Sequence, residues 1–325
     1  MADVLAERVG RLRNLTDCIT PSRSFPLLTE LRFPLDLFHQ LQFFTRLYIL
    51  SSLNAILPTE FIGCKLSDLD DDRLDFLMVN RIAALPNCTP NGMLLPKREN
   101  AVEFHLIQRT IGQILKSLGI GRRVSLIQQS VHVRFNNGKY DEKLGQRSYA
   151  TTKVHTDIWN GEPAGVIIVF IPVLGDVAAN GIEFFEPDLT LIKDFVRVLD
   201  DYGEAEDLVR AATRYNLDMQ KRCIYFADSF LLHRTRKSGR GLRISIDFRI
   251  IPEEHVLSDD LQTSYVNKNW ERNFVPISEF YQVGLTKILL PKDTFADTIR
   301  KFKSGEPVQT GPISHKDSFD IIDLK

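Results

Sequence analysis

The chain has 325 residues, enough for one large domain or two ordinary ones, and it is well above the size at which a hydrophobic core becomes hard to build. Its composition, 43% hydrophobic and 26% charged, is typical of soluble globular proteins. Because 41 basic residues face 42 acidic ones, the formal net charge of -1 provides no overall field that would attract nucleic acid or an anionic membrane. A local basic patch is still compatible with this balance.

The cysteines and the N-terminus predict a cytoplasmic protein. Cys18, Cys64, Cys88 and Cys223 are scattered without a C-x-x-C pair or zinc-type spacing, which favours reduced thiols. The first residues contain no basic region followed by an apolar core, so we expect no secretory signal. The longest apolar run, residues 164–174, is shorter than the roughly 18 to 20 residues that a membrane helix needs. No membrane partner is therefore expected.

Residues 1–122 are predicted to form a mainly helical region that packs on the rest of the chain. Apolar side chains recur at helical spacing in three stretches, residues 3–15, 35–57 and 101–118. The acidic segment 67–75 is interpreted as a solvated helix start, because it lacks the glycine turn and closing glutamate of a calcium-binding loop. The turn-rich residues 85–98 are predicted to be a loop.

From Arg123 onward the apolar period is that of strands. Strands are predicted at 124–135, 153–159, 165–173, 181–185, 223–226 and 242–251, with a helical insertion at about 189–215. Short strands with one helical interruption favour a barrel or sandwich, and no glycine-rich nucleotide-binding loop is present. The predicted fold is mainly β with flanking helices, as one globular unit of three parts: 1–122, the β core 123–251, and a C-terminal extension 252–325 whose end, after 307, is expected to be partly disordered.

A histidine and an aspartate two residues apart, His155 and Asp157, precede a strongly apolar run. In an extended chain such residues point to the same side, so they could bind one ion together. His315 and Asp317 form a second pair of this kind, but that pair lies in a polar tail and precedes no strand. The first pair is therefore the candidate, and it needs a third ligand.

His233 is the best candidate for that ligand, because it ends an apolar strand and turn, whereas His255 lies in a polar loop. A purely structural histidine would fit the same pattern. Ten residues later the strand 243–250 alternates strictly, with Arg243, Ser245, Asp247 and Arg249 on one face and apolar side chains on the other.

This alternation allows two interpretations. Either the strand is half exposed with its apolar face on a core, or its apolar face packs under the N-terminal helices and its polar face lines a cavity. In the second case Arg243 could bind a carboxylate, with the hydroxyl of Ser245 beside it.

The order His155-x-Asp157, His233 and Arg243-x-Ser245, set among short strands, resembles the Fe(II)- and 2-oxoglutarate-dependent dioxygenase superfamily over about residues 124–251. Residues 180–187 (N-G-I-E-F-F-E-P) are similar to the N-G-x-L-x-x-x-P segment of the phytanoyl-CoA-hydroxylase-like branch, except that Glu183 replaces leucine. The resemblance implies a double-stranded β-helix, that is, a jelly-roll or cupin-like core.

The resemblance also implies an activity. His155, Asp157 and His233 would bind Fe(II) and leave adjacent positions for 2-oxoglutarate and O2, while Arg243 and Ser245 would bind the distal carboxylate of the oxo acid. The implied reaction hydroxylates a small molecule, amino-acid-like or a natural product, and releases succinate and CO2. Related halogenases lack the carboxylate of Asp157, so its presence favours hydroxylation, with desaturation or ring formation still open.

Residues that could contact the substrate are the polar side chains of neighbouring strands and one aromatic residue: Gln128, His132, Arg134, Trp159 and Arg249. Trp159 would fit a packing role as well. The loop after His233 is basic, which suggests an anionic or carrier-bound substrate, through Arg234, Arg236, Lys237 and Arg240.

Two other functions stay open. One is a non-catalytic cupin-type protein that binds a metal or an oxo acid. The other is a nucleic-acid-repair dioxygenase, which a near-neutral chain without a basic patch interleaved with aromatic residues does not favour.

Overall fold

The computed structural model describes residues 4–17, 19–56, 66–69, 76–139, 141–188, 195–253, 273–292 and 318–324. The α-helices within these ranges are α1 (Val4–Thr16), α2 (Leu35–Ile56), α3 (Phe76–Ala84), α4 (Ala101–Ser117), α5 (Glu142–Gly145), α6 (Glu206–Arg210) and α7 (Ile277–Phe280). The strands are β1 (Arg23–Phe25), β2 (Leu28–Arg32), β3 (Met93–Leu94), β4 (Val124–Gln128), β5 (His132–Asn137), β6 (Ile167–Gly175), β7 (Ile182–Glu186), β8 (Thr213–Arg214), β9 (Cys223–Asp228), β10 (Leu232–Thr235), β11 (Leu242–Pro252), β12 (Phe274–Pro276), β13 (Lys287–Pro291) and β14 (Phe319–Asp323). None of the described helices is both long and apolar enough to cross a membrane.

Two antiparallel sheets face each other. The larger sheet has the order β1–β2–β9–β6–β11–β4–β12, and β5 also pairs with β11. The smaller sheet has the order β10–β7–β8, and a backbone bridge between His155 and His233 extends it beyond β10. Phe170 of β6 and Phe184 of β7 pack against each other between the two sheets, with ring centroids 5.9 Å apart. This strand order is that of a jelly roll, so the predicted mainly-β fold with flanking helices is confirmed.

The N-terminal helices cover the outer face of the larger sheet. Ile244, Ile246 and Phe248 of β11 are completely or almost completely buried, in one cluster with Leu41 of α2 and Ile107 of α4. The polar side chains of β11 consequently point toward the smaller sheet. This is the second of the two interpretations of the alternating strand, and it places Arg243 and Ser245 in the interior.

Around the metal-ligand candidates the local structure differs from the predicted strand over 153–159. Only His155 forms a backbone bridge, and a 3-10 helix, Asp157–Asn160, follows at once. Gly161 ends this helix with a φ of 85°, a left-handed conformation that favours glycine. The chain therefore turns directly after Asp157, and the hydroxyl of Thr156 donates to the carbonyl of Ser229 across the turn.

Other segments also differ from the sequence prediction. The single strand expected over 124–135 is two strands, β4 and β5, and the N-terminal region supplies β1 and β2 to the larger sheet. The insertion at 195–215 contains only short helices and β8. At the C-terminus, Phe319 is buried and β14 pairs with β13, and the expected partial disorder after 307 stays a prediction. Several earlier candidates lie outside the described residues: Cys18, Cys64, 70–75, His255, His315, Asp317, 254–272 and 293–317.

Candidate metal centre

Two imidazoles and one carboxylate converge between the facing sheets. His155 lies on the bridge to His233 of β10, and Asp157 begins the 3-10 helix that follows. One ligand atom from each of these three residues lies within 4.8 Å of the other two, and Nε2 of His233 is 3.6 Å from Oδ1 of Asp157. A single divalent ion could bind all three atoms after small side-chain rotations.

The backbone fixes the orientation of both imidazoles. Nδ1 of His155 donates to the carbonyl of Lys153 at 2.8 Å, and Nδ1 of His233 donates to the carbonyl of Leu231 at 3.2 Å. Because a carbonyl oxygen can only accept, each ring carries its proton on Nδ1 and keeps a lone pair on Nε2. Nε2 is thus the atom of each histidine that could bind a metal ion.

The three side chains are in the protonation states that a metal ion requires. Burial, assisted by His233, lowers the pKa of His155 to about 3, and burial also lowers the pKa of His233. For Asp157, burial would raise the pKa, but the nearby Arg249 and the two imidazoles outweigh it and lower the pKa. At neutral pH the site therefore offers two neutral nitrogens and one carboxylate.

Arg249 holds the second carboxylate oxygen of Asp157. Nη2 of Arg249 donates to Oδ2 of Asp157 at 2.7 Å, and Nη1 donates to Oδ2 of Asp247 at 2.9 Å. Asp247 also accepts from Nε of Arg134 at 2.7 Å and lies 3.3 Å from Nδ1 of His132. This buried chain of alternating charges leaves Oδ1 of Asp157 to face the histidines, so the carboxylate would bind an ion through one oxygen.

The residues predicted to contact the substrate are therefore largely engaged with one another. Arg134, His132 and Arg249 meet on Asp247, and Nε2 of Gln128 lies 2.8 Å from Nε2 of His132. They surround the metal-ligand candidates on the β11 side. A direct contact of these four side chains with a substrate stays a prediction.

Trp159 lies in the packed interior. It has no exposed surface, its indole N–H donates to the carbonyl of Phe195 at 2.8 Å, and its ring contacts Phe195 and Tyr202. These contacts are those of a packing residue that supports the 3-10 helix after Asp157. They leave the indole no free donor for a substrate.

Arg243 is a buried cation with two nitrogens that have no hydrogen-bond partner among the described residues. It is 1% exposed, and the two nitrogens are Nε and Nη1. Burial, followed by the nearby charge of Arg134, lowers its pKa to about 10. Ser245, two residues along the same face, is also buried. A guanidinium without an acceptor is costly, and a carboxylate is the group that best satisfies its fork of donors.

Two of the four basic side chains in the loop after His233 are paired with carboxylates. Nε of Arg234 donates to Glu183 at 2.6 Å, Nη2 of Arg236 donates to Asp218 at 3.0 Å, and Nζ of Lys237 donates to the carbonyl of Asn137. The predicted attraction of this loop for an anionic or carrier-bound substrate is thus weakened. Glu183 is the residue that replaces leucine in the family segment, and it pairs with Arg234 of this loop and with Arg214 of β8.

Two aromatic contacts at the site had no signal in the sequence. The ring of Tyr202 stacks on His155, with centroids 4.5 Å apart and an interplanar angle of 10°, and Phe170 meets His233 at 5.8 Å. Tyr202 belongs to a short 3-10 helix of the insertion, Tyr202–Ala205, where no spacing rule connects it with a histidine of the core. Both rings exclude water from the imidazoles.

No family model and no curated protein matches the sequence. Solved structures with a similar fold include AviO1 from Streptomyces viridochromogenes Tue57, with 13% identity and a TM-score of 0.43 over 78% of this chain and 96% of that one. The non-heme alpha-ketoglutarate-dependent epimerase SnoN from nogalamycin biosynthesis has 12% identity and a TM-score of 0.35, covering 77% of this chain and 83% of its own. HygX from Streptomyces hygroscopicus, solved with nickel, 2-oxoglutarate and hygromycin B, has 14% identity and a TM-score of 0.26, covering 54% of this chain and 77% of its own. At these values the function has to be argued from the side chains of this chain.

Proposed function

We propose that this protein is an Fe(II)- and 2-oxoglutarate-dependent oxygenase that hydroxylates a small-molecule substrate and releases succinate and CO2. The observation that carries the proposal is the convergence of His155, Asp157 and His233 in a jelly roll whose strand β11 also holds a buried guanidinium without an acceptor. Two imidazole nitrogens and one carboxylate oxygen suit a divalent first-row metal that keeps open positions.

The residues of the chain have separate roles in this proposal. His155, His233 and Oδ1 of Asp157 would hold the ion, and the carbonyls behind the two imidazoles keep their Nε2 atoms aimed at it. Arg243 and Ser245 would bind the distal carboxylate of 2-oxoglutarate. When bound, iron with 2-oxoglutarate and O2 supplies the oxidising power to hydroxylate a C–H bond. Tyr202 and Phe170 shield the ligands from water.

The substrate is proposed to be a small organic molecule of the amino-acid-like or natural-product type. A carboxylate at position 157 supports hydroxylation, because it occupies the position that a halide would need. A nucleic-acid substrate has no support in a chain with a net charge of -1, in which two of the four basic side chains of the loop after His233 are paired with carboxylates.

Anaerobic spectroscopy tests the proposal. Adding Fe(II) and 2-oxoglutarate to the metal-free protein should produce a weak visible metal-to-ligand band, which should disappear in Asp157→Ala and in Arg243→Met for different reasons. The first variant should lose the metal, whereas the second should keep the metal and lose the oxo acid. A matched control is Asp176→Ala, since Asp176 lies at the end of β6 and outside the site.

Admitting oxygen then separates an enzyme from a binding protein. An oxygenase without its substrate should form succinate slowly by uncoupled turnover, and Asp157→Ala should not. A wild-type protein that shows the band and yet forms no succinate would support the non-catalytic cupin-type alternative. A correctly folded wild-type protein with no band would contradict both the metal site and the oxo-acid site.

A further inference from the structure

A buried hydrogen-bond donor of Arg249 lies close to the carboxylate of Glu162, beside Asp157, without bonding to it. Nε of Arg249 is buried and has no hydrogen-bond partner among the described residues. The nearest carboxylate oxygen, Oε1 of Glu162, is 3.8 Å away, which is too far for a hydrogen bond. The side chain of Glu162 is 28% exposed, compared with 12% for that of Arg249, so it lies on the solvent side of the pair.

The geometry of a guanidinium places this pair next to the metal ligand. The Nε–H and one N–H of Nη2 point from the same edge of the planar group. Nη2 of Arg249 is bound to Oδ2 of Asp157 at 2.7 Å, so Glu162 and Asp157 lie side by side along one edge. The backbone shows the same proximity, because the amide of Glu162 donates to the carbonyl of Asp157 at 3.2 Å.

Of the hydroxyl, carboxylate and ammonium groups, a hydroxyl fits this pair best. It can accept from Nε–H of Arg249 and donate to the carboxylate of Glu162 at the same time. A carboxylate could accept from Arg249, but it would meet the negative charges of Glu162 and Asp157. An ammonium group could donate to Glu162, but it would leave the Nε–H unpaired and would face the charge of Arg249.

The balance of charge around the site favours an uncharged molecule as well. Three guanidinium groups are matched by three carboxylates, and these six residues are Arg134, Arg243, Arg249, Asp157, Asp247 and Glu162. The two positive charges of Fe(II) would be matched by the two negative charges of 2-oxoglutarate. Lys237, which adds a positive charge, is near Arg243, six residues from Arg249 on β11. A charged substrate beside Asp157 would therefore lack a countercharge in a largely buried site.

On the basis of the proposed function, we infer that Glu162 and Arg249 bind a hydroxyl group of an uncharged prime substrate beside the metal centre. Glu162 is then a specificity-determining residue, and the substrate class is an alcohol or a polyhydroxylated molecule. The hydroxyl would be held next to Asp157, which brings neighbouring C–H bonds close to the ion.

Three probes on one carbon frame test this inference: cyclohexylmethanol, cyclohexanecarboxylate and cyclohexylmethylammonium. Each is titrated into protein loaded with Zn(II) and 2-oxoglutarate, and binding is measured by ligand-observed NMR. The alcohol should bind at least about 10-fold more tightly than either charged probe, since a hydrogen bond to a charged group has this effect or a larger one. Glu162→Leu should remove the preference, and Glu162→Gln, which keeps an acceptor, should retain part of it. Glu103→Gln on α4, a half-buried glutamate outside the site, is the matched control and should bind like the wild type.

The visible band with Fe(II) and 2-oxoglutarate should be unchanged in all three variants, which shows that they fold and keep the metal site. Tighter binding of a charged probe, an alcohol preference that persists in Glu162→Leu, or no binding of the alcohol up to about 10 mM would each overturn the inference. The proposed function fails separately, through the absence of the band in the wild-type protein.

Discussion

Replacing Arg243 with methionine should stabilise the ligand-free protein and abolish binding of 2-oxoglutarate. Methionine has a similar apolar stem, but it has no charge and no hydrogen-bond donors. The arginine is 1% exposed, and two of its nitrogens have no partner among the described residues. In the absence of the oxo acid, the guanidinium of Arg243 therefore destabilises the folded protein.

Two quantities give the size of the effect: the cost of an unpaired buried donor, and the lowered pKa of Arg243, which burial and the charge of Arg134 cause. A buried donor without a partner costs about 1–3 kcal/mol. Burial lowers the pKa of Arg243 from 12.5 to about 10, which corresponds to roughly 3 kcal/mol against the charged form. Because the pKa of this cation is lower in the folded state than in the unfolded chain, the penalty is present at pH 7 and is lost only as the pH rises through about 10. We expect the free energy of unfolding to increase by about 1–3 kcal/mol in Arg243→Met.

Urea unfolding at pH 7 measures the difference, and Arg8 provides the matched control. Arg8 is equally buried, but it donates to Asp228 at 2.8 Å, to Ser229 at 2.9 Å and to the carbonyl of Ala164 at 2.6 Å. Breaking such a buried pair costs about 3–5 kcal/mol, so Arg8→Met should be strongly destabilised. With Ni(II) bound, 2-oxoglutarate at 100 times its Kd should stabilise the wild type by about 2.7 kcal/mol and Arg243→Met by far less.

A loss of more than about 1 kcal/mol in metal-free Arg243→Met would refute this reasoning, because it would mean that the guanidinium has a structural partner. An equal stabilisation of both proteins by 2-oxoglutarate would show that the oxo acid binds elsewhere. Arg8→Met controls for any effect on stability that comes simply from placing a methionine in the interior.

Four further variants or conditions test other parts of the protein. At pH 6, Zn(II) binding should release fewer protons than the roughly 1.5 that two histidines with ordinary pKa values would release, because burial lowers the pKa of both; calorimetry in two buffers measures this, and a release near 1.5 would contradict it. By the same linkage, the stability of the metal-free protein should fall as the pH drops from about 6.5 toward 3, since the unfolded chain binds the proton of His155 more tightly. Trp159→Phe should cost about 1–3 kcal/mol of stability through the unpaired carbonyl of Phe195 and should leave the visible band intact, whereas a large change in substrate KM without a loss of stability would identify a substrate contact. Asn180→Ala should loosen the 236–241 loop, because the Asn180 amide bonds the carbonyl of Arg240 and the amide of Ser238; faster proteolysis within that loop would show it, and unchanged cleavage would contradict it.

The composition of the two faces of β11 could be predicted, because a period of two fixes the faces of a strand. Arg243 and Ser245 follow from that alternation, and burial of the isoleucines under the helices decides which face is interior. The three ligands follow from the order of the histidines and from their position relative to apolar runs. Each of these signals is local in the sequence, and the structure brings the ligand atoms within 4.8 Å of one another.

Contacts between distant residues could not be predicted in this way. Arg249 and Asp157 are 92 residues apart, and alternation gives the face of Arg249 but not the atom that it reaches. The residues after His155 fit the pattern of a strand as well as that of a turn. The sequence therefore did not distinguish the 3-10 helix at Asp157 from the predicted strand. Strand β2 has only five residues, too few for a clear period, and its pairing with β9 depends on the other end of the chain.

The larger sheet depends on residues from the beginning of the chain. Strand β2 covers the outer edge of β9, and Arg8 neutralises Asp228, which lies 220 residues away and beside the turn that leads to His233. A fragment that begins near residue 123 would expose the hydrogen-bonding groups of β9 and leave Asp228 buried without a countercharge. Such a fragment should aggregate rather than fold, so a shortened chain for spectroscopy or crystallisation should keep the first helix and the hairpin of β1 and β2.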